Sequence, residues 1–165
     1  MRLLRLSAVL GTAAVAVAAT ASHAPDPSLT RMLRAPSVSA QHIAFAYAQN
    51  VWVVDRKGGA ARRLTSFQGA IENPKISPDG KLVAFSAEYG GNTDVYVVPI
   101  EGGEPRRLTW HSANDVVQGW TPDGARVLFA SNRDTDGPNA QPKFYTVPLA
   151  GGPEDRKSTR LNSSH

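Results

Sequence analysis

One segment constrains the fold of this chain more than any other. It runs Ser77-Pro78-Asp79-Gly80, then Leu82-Val83-Ala84-Phe85-Ser86, Val95-Tyr96-Val97-Val98, Gly102-Gly103 and Arg106-Arg107-Leu108-Thr109. Serine, proline, aspartate and glycine in that order specify a type I turn, because proline presets φ at the second position and glycine tolerates the exit. The two runs that follow are short and rich in β-branched and aromatic residues. Polar, glycine-rich connections bound them, as expected of neighbouring strands in a meander. Arg106–Thr109 is the expected fourth, outermost strand, where Pro105 is tolerated because an edge strand can lack a donor.

The unit recurs with a countable offset. Thr121-Pro122-Asp123-Gly124 follows the serine version by 44 residues, and Val51-Trp52-Val53-Val54, Gly58-Gly59 and Arg62-Arg63-Leu64-Thr65 precede their counterparts by the same 44. From Phe45 to Phe85 the offset is 40, and from Val95 to Phe144 it is 49, so the hairpin after the second strand lengthens along the chain. A four-stranded repeat of this period is that of a propeller blade rather than a helical solenoid. The strands also read as nearly continuous apolar runs, which suits sheets covered on both faces. The expected fold class is all-β, a partial β-propeller of about three four-stranded blades; a β-sandwich with regular hairpins is the alternative. The Gly-His and Trp-Asp signature of WD-type repeats is missing.

Blades are expected over about residues 36–70, 71–114 and 115–154. Their expected inner strands are Ser37–Ala40, Pro74–Ser77 and Val116–Thr121; the third blade continues with Arg126–Ser131 and Phe144–Pro148 and stops before an outer strand. Propellers close with about 4 to 8 blades, so the expectation is an N-terminal piece of a longer ring.

Met1–Ala21 has the form of an export signal: Arg2 and Arg5, an apolar alanine-rich run, and Ala19-Thr20-Ala21 as a cleavage site; an uncleaved anchor is the alternative. Residues 22–35, with Pro25 and Pro27, read as a disordered tether. At the other end, residues 155–165 depart from the repeat where a Leu-Thr strand is due, and they match the in-frame translation of a sequencing-adapter oligonucleotide. This stretch is expected to be non-native and without function. The formal charge of +4 collapses once signal and tail are set aside, because Ser22–Glu154 holds 13 basic and 13 acidic residues. A neutral body has no electrostatic footprint for nucleic acid. There is no cysteine, which excludes disulfides and thiol chemistry.

Taken together, Ile43-Ala44-Phe45, Val51–Asp55, Arg62–Thr65, Pro74–Gly80 and Ala84-Phe85-Ser86 resemble the N-terminal propeller of tricorn-type proteases. Gly119-Trp120-Thr121-Pro122-Asp123-Gly124, reached through Trp110–Asp115, sharpens the likeness, with Asn114 where an acidic residue is common. The Ser-Pro-Asp-Gly turn by itself is shared with TolB-like propellers and with propellers fused to amidohydrolases or α/β-hydrolase peptidases. The resemblance implies a non-catalytic propeller of an exported serine peptidase that gates or admits peptides and supports assembly. It also implies peptide or unfolded polypeptide substrates, downstream peptidase domains of the same protein and a homo-oligomer as partners. It carries over no catalytic residue and no cofactor. A periplasmic TolB-like protein-binding propeller is the rival reading.

Candidate chemistry within the body is sparse. His42 and His111 have no Gly-x-Ser-x-Gly elbow beside them, and no catalytic role is assigned to either. Trp110, His111 and Trp120 are the candidate peptide contacts, at the channel or its mouth, whereas Trp52 is expected in the core between blades. Asn132, Asp134 and Asp136 space oxygen ligands like the first half of a calcium loop, but Lys143 stands where the bidentate glutamate belongs. The arginine pairs 62–63 and 106–107 are expected as edge guards on outer strands.

Overall fold

The computed structural model describes residues 33–66, 69–89, 91–135, 141–151 and, by backbone alone, 155–156. The expected signal, nearly all of the tether and residues 157–165 lie outside the described residues. Among the described residues there is no helix, and twelve strands form three antiparallel four-stranded sheets. The first holds β1 (Arg34–Val38), β2 (His42–Tyr47), β3 (Asn50–Asp55) and β4 (Arg62–Arg63). The second holds β5 (Ile71–Ile76), β6 (Leu82–Glu88), β7 (Thr93–Pro99) and β8 (Arg106–Arg107). The third holds β9 (Asp115–Trp120), β10 (Arg126–Ser131), β11 (Lys143–Pro148) and β12 (Asp155–Arg156). Strands are ordered within each sheet as in the chain, the arrangement of successive propeller blades.

Each repeated motif has one structural task, performed alike in neighbouring sheets. In the turn before β6, Ser77 Oγ accepts from Leu82 N at 2.9 Å, and Gly80 N donates to Ser77 O at 2.9 Å with Gly80 at φ 75°. Before β10, Thr121 Oγ1 accepts from Arg126 N at 3.0 Å and Gly124 N donates to Thr121 O at 2.8 Å. The leucine of the Leu-Thr pair is core: Leu64 and Leu108 are buried, which removes a side chain worth about 2 kcal/mol from water. The threonine beside it closes the strand start. Thr65 Oγ1 accepts from Val51 N at 2.9 Å and Thr109 Oγ1 from Val95 N at 3.0 Å.

The core lies between sheets and follows the two-residue period of the strands. Directly opposed pairs Phe45↔Trp52, Phe85↔Tyr96 and Phe129↔Tyr145 recur, one in each sheet. The pair in the second sheet belongs to the core shared with the first, alongside Val51, Val53 and Ile71. That of the third sheet belongs to the core shared with the second, alongside Ala84, Val95 and Val97. Their rings stack at 5.8 Å and 5.7 Å. Alternation puts Trp52 on the other side of β3 from the buried Val51 and Val53. Trp52, expected in the core between blades, thus lies outside the core shared by the first and second sheets: it is half-buried, edge-on to Tyr47 at 6.1 Å, with Nε1 donating to Tyr47 O at 3.0 Å.

Strand limits differ from expectation at two kinds of place. The inner strands begin earlier, at Arg34, Ile71 and Asp115, so the first lies partly in the expected tether. Bulges accommodate the prolines near these starts: the register shifts between Arg34 and Ser37 and between Glu72 and Lys75, around Pro36 and Pro74. The third sheet also acquires its outer strand, with Arg156 opposite Tyr145 as Arg107 is opposite Tyr96 and Arg63 opposite Trp52. A two-residue edge pairing uses backbone groups alone, so its absence was not to be read from a missing Leu-Thr motif.

Candidate functional site

Antiparallel connectivity gives each sheet two ends. One carries the Ser-Pro-Asp-Gly or Thr-Pro-Asp-Gly turns. The other, the hairpin end, carries the connections β2–β3, β6–β7 and β10–β11 and the start of each inner strand. Among the described residues the exposed large hydrophobic side chains are Leu33, Val38, Tyr47, Tyr89, Trp110 and Phe144. All except Val38 sit at the hairpin end. Trp110 and Tyr89 are the most open, at 65% and 63% exposure.

Trp110 and His111 lie in the link from β8 to β9, and a polar network fixes that link. Asp94, at the start of β7 and fully buried, accepts at Oδ2 from Arg107 Nη2 at 2.6 Å and from Asn92 Nδ2 at 3.1 Å. The same arginine donates through Nε to Thr109 O at 2.7 Å and lies 5.8 Å from the Trp110 ring. Asn92 also donates to His111 O at 2.7 Å, and Asn114 Oδ1 accepts from Thr93 N at 3.0 Å. The position that looked short of an acid thus holds an amide acceptor with a backbone partner. Burial raises the Asp94 carboxyl above the ordinary carboxylate value, and the Arg107 guanidinium opposes the rise. His111 is exposed, and its Nδ1 accepts from Ala113 N at 3.0 Å, which leaves Nε2 as the outward-facing nitrogen.

Trp120 does not join this cluster. It ends β9, about 17 Å along the strand from Asp115, and Nε1 donates to Lys75 O at 2.8 Å while its ring packs on the second core. Trp110 and His111 stand together; Trp120 ties the inner strands of neighbouring sheets at the turn end. His42 opens β2 at that end, opposite Asp55. Of the calcium candidates, Asp136 lies outside the described residues. Asp134 Oδ2 accepts from Tyr145 Oη at 2.8 Å and its carbonyl accepts from Lys143 Nζ, so an ammonium occupies the neighbourhood a cation would need. Among the described residues no group of three or more acidic, histidine or cysteine side chains is placed to hold a metal.

The sequence patterning singled out neither Asn92 nor Asp94. The available signal was Asp94 standing 44 residues after Asn50, with an arginine two residues before the shared threonine. Two of the four outer-strand arginines are also more than edge guards: Arg107 makes the pair above, and Arg62 donates to Ile100 O and approaches Glu101 at 3.6 Å.

Known proteins agree with this architecture. A protein named tricorn protease homolog 1, from Streptomyces coelicolor, is 38% identical over 131 residues, which is 78% of this chain and 12% of that protein. The crystal structure of the tricorn protease superposes with a TM-score of 0.59 at 25% identity, covering 72% of this chain and 13% of the other. The crystal structure of TolB from Acinetobacter baumannii gives 0.58 at 26% identity, covering 75% and 31%. The chain therefore spans only a small part of the relatives it matches. The profile described as the tricorn protease N-terminal beta propeller domain matches residues 30–163, and to that family the chain belongs.

Proposed function

We propose that this chain is the non-catalytic N-terminal propeller of an exported serine peptidase of the tricorn type, where it gates or admits peptide substrates and supports assembly with downstream peptidase domains and further copies. Family membership supports the parent class, and the form of Met1–Ala21 supports export to the periplasm or beyond. The observation that carries peptide contact is the exposed Trp110 on a link held by the buried Asp94 together with the half-buried Arg107 and Asn92. A large aromatic held open to water by a rigid polar support is pre-organised to stack on a passing chain.

Titrating the chain with unfolded polypeptide while following the Trp110 indole N–H by NMR tests the reading. The expected result is a saturable shift, and in calorimetry Trp110→Ala should weaken binding of the same polypeptide without change in folding. Absence of any shift at millimolar peptide would sink it. A second reading, a TolB-like propeller docking folded proteins, is favoured by the comparable superposition on TolB. It requires binding to folded partners and none to unfolded chains.

A further inference from the structure

A groove of about 610 Å³ opens at the hairpin end between the first and second sheets, within the size range of small-ligand sites. Its backbone is unusual. Among the described residues five non-glycine positions have positive φ, and four line this groove: Ala35 at 47°, Ala48 at 46°, Gln49 at 60° and Asn73 at 47°. Positive φ at both centres of a two-residue hairpin asks for Asn-Gly, and here the chain uses Ala-Gln. Left-handed non-glycine residues gather where function holds a strained backbone in place.

The side chains are distinctive too. Arg34 and Glu72 occupy matching places at the starts of adjacent inner strands, each followed by a left-handed residue and a proline. Both are exposed, and neither has an ion-pair or hydrogen-bond partner among the described residues. Gln49 and Asn73 present amides, which match a peptide's own donors and acceptors. The exposed Tyr47 ring supplies apolar surface, over a floor formed by the buried Ala46 and Ile71.

We propose that this groove binds a short extended peptide carrying an apolar side chain between one acidic and one basic group, the acid meeting Arg34 and the base meeting Glu72. The proposal rests on the peptide-contact reading above and adds a place and a charge pattern. The charged side chains lining the groove are one arginine and one glutamate, which favours this ligand over a uniformly acidic or basic one.

The probe is a tetrapeptide, blocked at both ends, with lysine and glutamate flanking two leucines, and a control in which serines replace the charged residues. Binding to the full chain is followed at the Trp52 indole N–H, which is bonded to Tyr47 O beside the groove, and separately at Trp110. The charged peptide is expected to bind about fivefold more tightly than the control. Arg34→Glu and Glu72→Lys should each erase that preference while leaving the control's affinity unchanged, a cycle that loss of structure cannot imitate. Equal binding of both peptides, or a preference that survives both substitutions, overturns the groove. If Trp110 then shifts and Trp52 does not, peptide contact survives without it; if neither shifts, both proposals fall.

Discussion

The second sheet and the first are built from the same repeat and differ in how much of it is dry. In β6 and β7 five consecutive residues are buried, whereas β2 buries only Ala44 and Ala46. Phe85 and Tyr96 are 0% and 5% exposed; their counterparts Phe45 and Trp52 are half-buried. The residues are of one kind, so the difference comes from the neighbours. The second sheet has a sheet on each face, and the aromatic pair of the first points away from the shared core. The polar support differs as well. Asp94 with Arg107 in the second sheet corresponds to Asn50 with Arg63 in the first, and there Thr65 Oγ1 donates to Asn50 Oδ1 at 3.2 Å without an ion pair between them.

Removing rings should give the widest gap between the sheets. Phe85→Ala is expected to cost about 4 kcal/mol and Phe45→Ala about 1–2 kcal/mol, since only the first leaves a cavity closed on both sides. Urea titration of both variants measures it, and equal costs would break the comparison. Next comes the pair of buried Asp94 with half-buried Arg107. Asp94→Ala strands Arg107 and should cost about 3 kcal/mol, whereas Asp94→Asn copies the first sheet's solution and should cost clearly less. Smaller and deliberately equal effects are expected from Thr65→Val and Thr109→Val, about 1 kcal/mol each, because each hydroxyl serves its own sheet. A marked inequality there would show that the Leu-Thr motif also depends on neighbours.

Acid sharpens the contrast further. The Ser77 hydroxyl holds the Asp79 carboxyl below its ordinary value of 3.8. A lowered value means its stabilising contribution is present above the unfolded value and disappears as pH falls through the folded one. Asp94, raised above 3.8 by burial, has the opposite sign: its charged form is the costly one, and its contribution improves as pH falls through the folded value. In thermal melts from pH 7 down to pH 3, the advantage of the wild type over Asp79→Asn should shrink. Its standing relative to Asp94→Asn should rise.

The repeat made the fold legible because each motif serves the backbone locally: a serine closing a turn, a threonine closing a strand, a leucine filling a core. The true starts of the first two inner strands were not legible, because at Pro36 and Pro74 a bulge accepts what a regular ladder refuses. The side of β3 that Trp52 occupies was not legible, because apolar runs do not reveal which face has a neighbour. The site was less legible. Trp110 and His111 were visible as residue types, but Asp94 and Asn92, which fix them, read as loop polarity; the groove between Arg34 and Glu72 exists only once two inner strands lie side by side.

Native-state hydrogen exchange across the three sheets tests most directly the claim that burial by neighbouring sheets, rather than the repeat itself, sets stability along the chain. The account predicts that amides of β6 and β7 exchange only through global unfolding, while those of β2 and β3 exchange through smaller, local openings. Equal protection in the first and second sheets, or greater protection in the first, would contradict it.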